Sequence, residues 1–264
     1  MNMATKVIAF ANNKGGSGKS TTCSNVGYAL ALGGYRVLLV DADMQQNLSL
    51  SFFGEEEVLA FSESGENLFT AIKEECDVRP FIRKTAYENL SLLPSGILMS
   101  GAEFELYGKK NMEKTLARVL EGVRASGEYD FILLDSPPTL GMLVMNIMCA
   151  SDYLLIPIEA SPWGLFGLAN MLDFFGKAKE TNKNLSLLGI AVTKADERKG
   201  YFRQTMEFLA ELENVNVFKN YIRIDSAVEW AQDSSQPVLA YKKSSRSSKE
   251  YLEMTKEMLE YVNR

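Results

Sequence analysis

Histidine is absent from all 264 residues. That absence excludes any histidine-based triad, histidine metal site or histidine general base. Cysteine is scarce: Cys23, Cys76 and Cys149 are widely spaced and form no C-x-x-C pair, so neither a zinc site nor a shared iron–sulfur cluster is expected. All three read as small apolar residues in a reducing compartment. No apolar run approaches the roughly 18–20 residues of a membrane-spanning helix. The first apolar run leads into a glycine loop and reads as a strand, not as a leader, so a cytoplasmic location is expected. Positive charge is not in excess. A formal charge of −6 and a pI near 5.0 give no overall attraction for nucleic acid, so any such contact must come from a local patch. No internal repeat or low-complexity tract is visible, and the length suits one α/β domain spanning residues 1–264.

What the chain has is a concentrated phosphate motif. Val7-Ile8-Ala9-Phe10-Ala11 reads as a buried strand, and Asn13-Lys14-Gly15-Gly16-Ser17-Gly18-Lys19-Ser20-Thr21 follows it into a helix-like segment. A strand, a glycine loop and a helix N-terminus make an anion cradle, because successive N–H groups point into one concavity and the helix dipole adds positive potential. Lys14, Gly15, Gly16, Ser17, Gly18, Lys19, Ser20 and Thr21 are the expected nucleotide-binding residues. Lys19 supplies charge for the β/γ-phosphates and the Ser20 hydroxyl a ligand for Mg²⁺. The ordinary pattern begins with glycine, where this chain has Asn13; asparagine tolerates left-handed backbone, so the loop is expected to form. Lys14 is the unusual element. Lys19 already serves the site from within, and a lysine at the start of the loop points outward, towards a nucleotide on a second subunit.

Short apolar runs alternate with longer amphipathic segments, which predicts a doubly wound, mostly parallel sheet with helices on both faces. Expected strands are Val7–Ala11, Arg36–Val40, Leu90–Leu93, Phe131–Leu134, Tyr153–Pro157, Leu187–Val192 and Val215–Tyr221. Expected helices are Lys19–Leu32, Glu103–Arg124, Leu165–Lys179, Phe202–Leu212, Ser226–Ala231 and Ser247–Val262. Phe53 to Asn67, with its acidic triplet, reads as an exposed excursion. Ligands of such sheets bind beyond the carboxyl ends of the strands. Four polar clusters fall there: Asn12 to Thr21, Asp41 to Gln45, Asp135-Ser-Pro-Pro, and Thr193 to Arg198. Asp135 is expected to hold Mg²⁺, through water where the ion keeps its hydration shell. Of Asp41 and Asp43, Asp43 is expected to orient or deprotonate the attacking water. Asp41 either supports the metal shell or caps the turn.

Taken in order, these segments resemble the ParA/Soj family of deviant Walker A partitioning ATPases, related to MinD. The resemblance is carried by Ala11 to Thr22, Val37 to Gln45 with Asn47, Tyr129 to Pro138, Asp152 to Pro157, Thr193 to Arg198, and Arg223. It spans nearly the whole chain. It implies a P-loop NTPase fold of the deviant Walker A type, Mg²⁺ and ATP as cofactors, and an ATP-sandwich homodimer in which Lys14 reaches the partner's phosphates. It also implies catalytic roles for Lys14, Lys19 and Asp43, a base-side contact from Arg223, nonspecific DNA binding on the nucleoid, and slow hydrolysis stimulated by a ParB-like centromere-binding partner. A chain without an added N-terminal DNA-reading domain is implied as well. Three positions depart from the pattern. Met44 and Gln46 stand where proline and glycine are usual, and Ile222 precedes Arg223 where proline is common.

A DNA surface would need Lys and Arg contacts to phosphate. Tyr241 to Lys249 holds four cations, no acids and several serines that can also donate to phosphate. Arg203, Lys242, Lys243, Arg246 and Lys249 are the expected DNA contacts, although residues 190–250 as a whole carry ten cations against nine acids. A membrane-binding tail would be basic and amphipathic. The C-terminal segment has more acids than bases, so Leu252, Met258, Leu259 and Val262 are expected to pack onto the body, with no membrane attachment. Two other readings stand beside DNA partition. One is an ATPase that positions a protein cargo. The other is a related GTPase, because Thr193-Lys194-Ala195-Asp196 also fits a guanine-reading [NT]-K-x-D motif.

Overall fold

The computed structural model describes residues 4–263. Seven strands, β1 Lys6–Phe10, β2 Val37–Asp41, β3 Arg83–Lys84, β4 Leu90–Leu93, β5 Phe131–Asp135, β6 Tyr153–Glu159 and β7 Ser186–Thr193, form one sheet in the order β3-β4-β2-β5-β1-β6-β7. All neighbours are parallel except the short edge strand β3, which runs antiparallel to β4. The first helices are α1 Lys19–Leu32, α2 Asn47–Leu50, α3 Glu55–Ser64, α4 Leu68–Glu74, α5 Ala102–Tyr107 and α6 Thr115–Ala125. They are followed by α7 Met142–Cys149, α8 Pro162–Thr181, α9 Gly200–Ala210, α10 Ser226–Asp233, α11 Val238–Tyr241 and α12 Arg246–Val262.

Alternation along the strands sends side chains to two cores. Val7, Ala9, Leu38, Val40, Ile132 and Leu134 meet the helices α4 to α9 on one face. Ile8, Phe10, Val37, Leu39, Phe131 and Leu133 meet α1 and α12 on the other. The doubly wound, mostly parallel expectation holds. In α12, Met258 and Val262 are buried and Leu252 and Leu259 half-buried, joined by Tyr251 and Met254 against the second core. Each fully buried side chain of this kind contributes about 1.5–3 kcal/mol, so the C-terminal helix is fastened to the body as expected. No helix among the described residues is long and apolar enough to cross a membrane.

The structure corrects three expected elements. Val215–Tyr221 is not a strand. Val217 and Arg223 form only isolated parallel bridges to Ile190 and Ala195, and the edge segment touches β7 intermittently. The single helix expected over Glu103–Arg124 is broken. Asn111 takes left-handed backbone at φ 50°, and the Asn146 side chain bonds Met112 O and Leu116 N in place of helical partners. The excursion from Phe53 to Asn67 contains α3. Its acidic triplet occupies the first turn, where it complements the helix dipole. Val58 is buried, and Phe61 packs edge-on against Phe53 at 5.2 Å between ring centres.

Candidate nucleotide-binding site

The loop after β1 is shaped by two anchoring side chains, Asn12 and Thr193. Asn12, fully buried, donates through its side-chain amide to Pro157 O at 2.7 Å, and its side-chain oxygen accepts from Lys14 N at 3.0 Å. Thr193 Oγ1, at the end of β7, lies 2.8 Å from Ser17 O and 3.2 Å from Ile158 O. Left-handed backbone falls on Gly16 (φ 74°) and Gly18 (φ 83°), not on Asn13, whose side-chain oxygen is buried without a partner. The broken consensus position therefore needs no left-handed residue. At Gly18 a Cβ would stand 3.1 Å from Thr193 Oγ1, so both conformation and space favour glycine there.

Beyond the loop lies a cavity of about 590 Å³, with Gly15, Gly16, Gly18, Lys19, Ser20, Thr21, Asp43 and Arg223 on its walls. Gln45, Asn47, Pro138, Thr193, Lys194, Ile224, Val228 and Gln232 complete much of the remaining wall. A volume of this size is ordinary for a small-molecule site. Two expected residues face elsewhere. Ser17 is fully buried, and Lys14 turns away from the cavity. The Lys14 ammonium bonds Glu159 Oε2 at 2.7 Å and Ser161 Oγ at 2.9 Å. Glu159 ends β6, and Ser161 caps α8 by accepting from Gly164 N.

Parallel pairing sets Asp41 and Asp135 opposite one another on β2 and β5. Both are fully buried. Asp41 spends its oxygens on the chain: Oδ1 accepts from Asp43 N at 3.1 Å, and Oδ2 from Ser49 N at 2.8 Å and Ser49 Oγ at 2.7 Å. Burial raises its pKa to about 6, against the opposing effect of the Ser49 and Asp43 bonds. This geometry favours the turn-anchoring alternative for Asp41. Asp135 is different. Neither of its oxygens has a hydrogen-bond partner within normal geometry, although Ser20 lies near enough to favour the charged form. Burial, reinforced by Asp41, pushes its pKa well above the usual carboxylate range. An orphaned buried carboxylate beside Ser20 calls for a cation or its water shell. Lys19, 6% exposed, has its pKa lowered by burial and partly restored by Asp135 and Asp43. Its ammonium lies 3.4 Å from Lys14 O. Asp43 is nearly buried, accepts from Gln45 N at 3.0 Å and faces the cavity.

Arg223, expected to face the base, lines the cavity and is tied to Glu250 Oε1 at 2.6 Å and Glu197 Oε2 at 3.2 Å. The usual proline before it is not required, because Ile222 N donates to Val192 O and Ala195 N to Ile222 O, fixing the segment against β7. Asp196 is held by Arg198 through two bonds of 2.8 and 3.0 Å, which lower its pKa to about 2. It does not line the cavity. The carboxylate a guanine reader needs thus stands off the cavity wall.

Arg203 is exposed on α9, and Lys242, Lys243, Arg246 and Lys249 are exposed around the start of α12. Arg246 partly belongs to the Glu250 network, 3.7 Å from Oε1. Most of the nearby serines are not surface donors. Ser245, Ser247 and Ser248 are buried, and they bond one another, Asp225 and the Val238 and Lys242 carbonyls. The sequence gives no signal for Glu159 or Ser161, and marks Asn12 and Thr193 only as members of strand-end motifs, without the loop-anchoring bonds they make. Their partners lie far away in sequence, so only chain position beyond a strand signalled them.

A family model described as an AAA domain matches residues 5–187. Over 254 residues the chain is 35% identical to the Sporulation initiation inhibitor protein Soj of Bacillus subtilis (strain 168), covering 96% of this chain and 98% of that relative. It is 31% identical over 255 residues to the Chromosome partitioning protein ParA of Caulobacter vibrioides (strain NA1000 / CB15N), covering 96% and 94%. Among solved structures, Cobyrinic Acid a,c-diamide synthase from Mycobacterium smegmatis, with bound ATP analog and magnesium, matches with a TM-score of 0.75 at 28% identity, over 92% of this chain and 98% of that one. With the phosphate loop at the head of a seven-stranded P-loop fold, these matches show that the chain belongs to the ParA/Soj family of partitioning ATPases.

Proposed function

We propose that the chain is a Mg²⁺-dependent ATPase of DNA partition, switched between a free state and an ATP-bound homodimer. The observation that carries this reading is the direction of Lys14. It leaves its own cavity and waits beside Glu159 and Ser161, where its side chain is 24% exposed and could meet a second subunit's nucleotide. Lys19 would hold the β/γ-phosphates from within the loop, and Ser20 with Asp135 would hold Mg²⁺. The orphaned Asp135 oxygens fit the water shell of that ion. Mg²⁺ when bound would neutralise charge on the β- and γ-phosphates. Among the described residues, no group of three or more acidic or cysteine side chains is arranged to hold a metal, so ion and nucleotide would bind together.

Asp43 would orient the lytic water and take its proton as water oxygen attacks the γ-phosphorus and the bond to the ADP oxygen breaks. Lys14, supplied by the partner, would meet the charge that develops there. The cycle is a population shift, in which ATP stabilises the dimer because the dimer binds it better. DNA would be held without sequence preference through Lys242, Lys243, Arg246, Lys249 and Arg203, and a ParB-like partner would speed hydrolysis and release. Such a cycle would place the protein on the nucleoid.

The test is Asp43→Ala. Mg-ATP binding should persist while turnover falls by roughly 10²-fold or more; unchanged turnover removes Asp43 from the mechanism. Positioning of a protein cargo is the second reading, favoured by the burial of three serines that would have widened a DNA surface. Salt-insensitive or absent DNA binding in Mg-ATP would favour it. Adenine is the expected base, since Asp196 does not line the cavity. Tighter binding of GTP in competition would overturn that choice.

A further inference from the structure

Lys194 follows β7 and has left-handed backbone at φ 50°, a conformation lysine seldom adopts. Such a turn persists only where the surroundings fix it. Thr193, immediately before, is fixed: its hydroxyl lies 2.8 Å from Ser17 O inside the phosphate loop. The Lys194 chain therefore departs from a point already tied to that loop and folds across it. Its ammonium lies 3.9 Å from where a Cβ on Gly16 would stand. The residue lines the same cavity as Gly15, Gly16 and Lys19. No ion pair or hydrogen bond engages this ammonium among the described residues. Lys14, by contrast, is taken by Glu159, and Lys19 lies buried at the foot of the loop.

We propose that Lys194 is a phosphate-contacting residue, closing on the α- and β-phosphates from the β7 side of the loop. The proposal rests on the cavity being a nucleotide site. It divides three lysines by direction: Lys19 from within, Lys14 outward, and Lys194 across the mouth. ADP and ATP share the phosphates concerned, so Lys194 strengthens both complexes alike. It keeps nucleotide on the free subunit while Lys14 is engaged elsewhere. Uniform binding of that sort raises affinity and leaves the chemical step alone.

Calorimetric titration with Mg-ADP and with a non-hydrolysable Mg-ATP analogue tests it on three variants of the full chain. Lys194→Gly keeps the left-handed backbone and removes the ammonium, Lys194→Met keeps the aliphatic stem, and Lys194→Arg keeps the charge. The first two should weaken both ligands by about tenfold or more, the loss of a charge-assisted hydrogen bond. Lys194→Arg should restore most of the affinity. Unchanged affinity in the Gly and Met variants, with the wild type binding normally, overturns the role of Lys194 alone. A loss confined to the ATP analogue overturns the assignment to the shared phosphates. A wild type that binds neither ligand overturns the nucleotide site, and this proposal with it.

Discussion

The Lys14 ammonium and the Glu159 carboxylate stand 2.7 Å apart across 145 residues of sequence, one at the start of the phosphate loop and the other at the end of β6. The pair is only partly shielded, at 24% and 36% side-chain exposure, so its attraction is modest and can be exchanged for another anion. A phosphate offered by a second subunit would be such an anion.

Neutralising Glu159 should make that exchange easier. In Glu159→Gln the amide oxygen still accepts from Lys14, but the ion pair is gone. We expect ATP-dependent dimers at protein concentrations lower by about two- to fivefold, the equivalent of ~0.5–1 kcal/mol. Sedimentation velocity in Mg-ATP across a dilution series reads the shift. Weaker dimers in this variant would mean that the carboxylate itself serves the interface.

The buried carboxylates predict a pH dependence of stability. Asp41 titrates near 6 in the folded chain against an ordinary 3.8. A raised carboxyl pKa means that the folded state holds the proton more tightly. Its contribution is complete below about pH 4 and is lost as pH rises through about 6, a change of about 3 kcal/mol. Carboxylates lowered by arginine, such as Asp130 and Asp196, act in the opposite sense, so the effect must be isolated by difference. The stability advantage of wild type over Asp41→Asn should shrink between pH 4.5 and 7.5, within roughly two pH units of the shifted value. Denaturant unfolding at several pH values measures it, and a pH-independent difference would contradict the assignment.

Lys242, Lys243 and Lys249 carry no ion pair among the described residues and are exposed. If they touch DNA phosphates, each replacement by alanine should weaken binding uniformly across sequences. It should also reduce the slope of log affinity against log salt by about one. Fluorescence anisotropy with two unrelated duplexes, over a range of salt in Mg-ATP, reads both effects. An unchanged slope would move the DNA surface elsewhere or remove it.

Much of the fold was legible because parallel strands write themselves as short apolar runs. Six of the seven expected strands appear close to their expected positions, and the cavity opens where strand ends and glycine loop coincide. The edge segment at Val217 misled because its apolar residues pack beneath the sheet border without continuous pairing. The acidic triplet at Glu55 looked solvated and is solvated, yet it starts a helix whose one buried residue is Val58. The break at Asn111 depends on Asn146, which reaches Leu116 across 30 residues and Met112 across 34. The same holds at the site. Loop residues announced themselves by glycine and lysine spacing, whereas Thr193 reaches Ser17 across 176 residues and Glu159 reaches Lys14 across 145. Local pattern carries the cradle; tertiary contact decides which way each lysine points.

In the proposed cycle the site is completed by a second copy of the chain, with Lys14 as the crossing residue. Asp43→Ala should trap the ATP-bound state, so the molecular mass of Asp43→Ala and of the Asp43→Ala, Lys14→Ala double variant in Mg-ATP tests it most directly. Light scattering coupled to size exclusion should give twice the chain mass for the single variant and the chain mass alone for the double variant. Equal dimers in both would contradict a crossing role for Lys14.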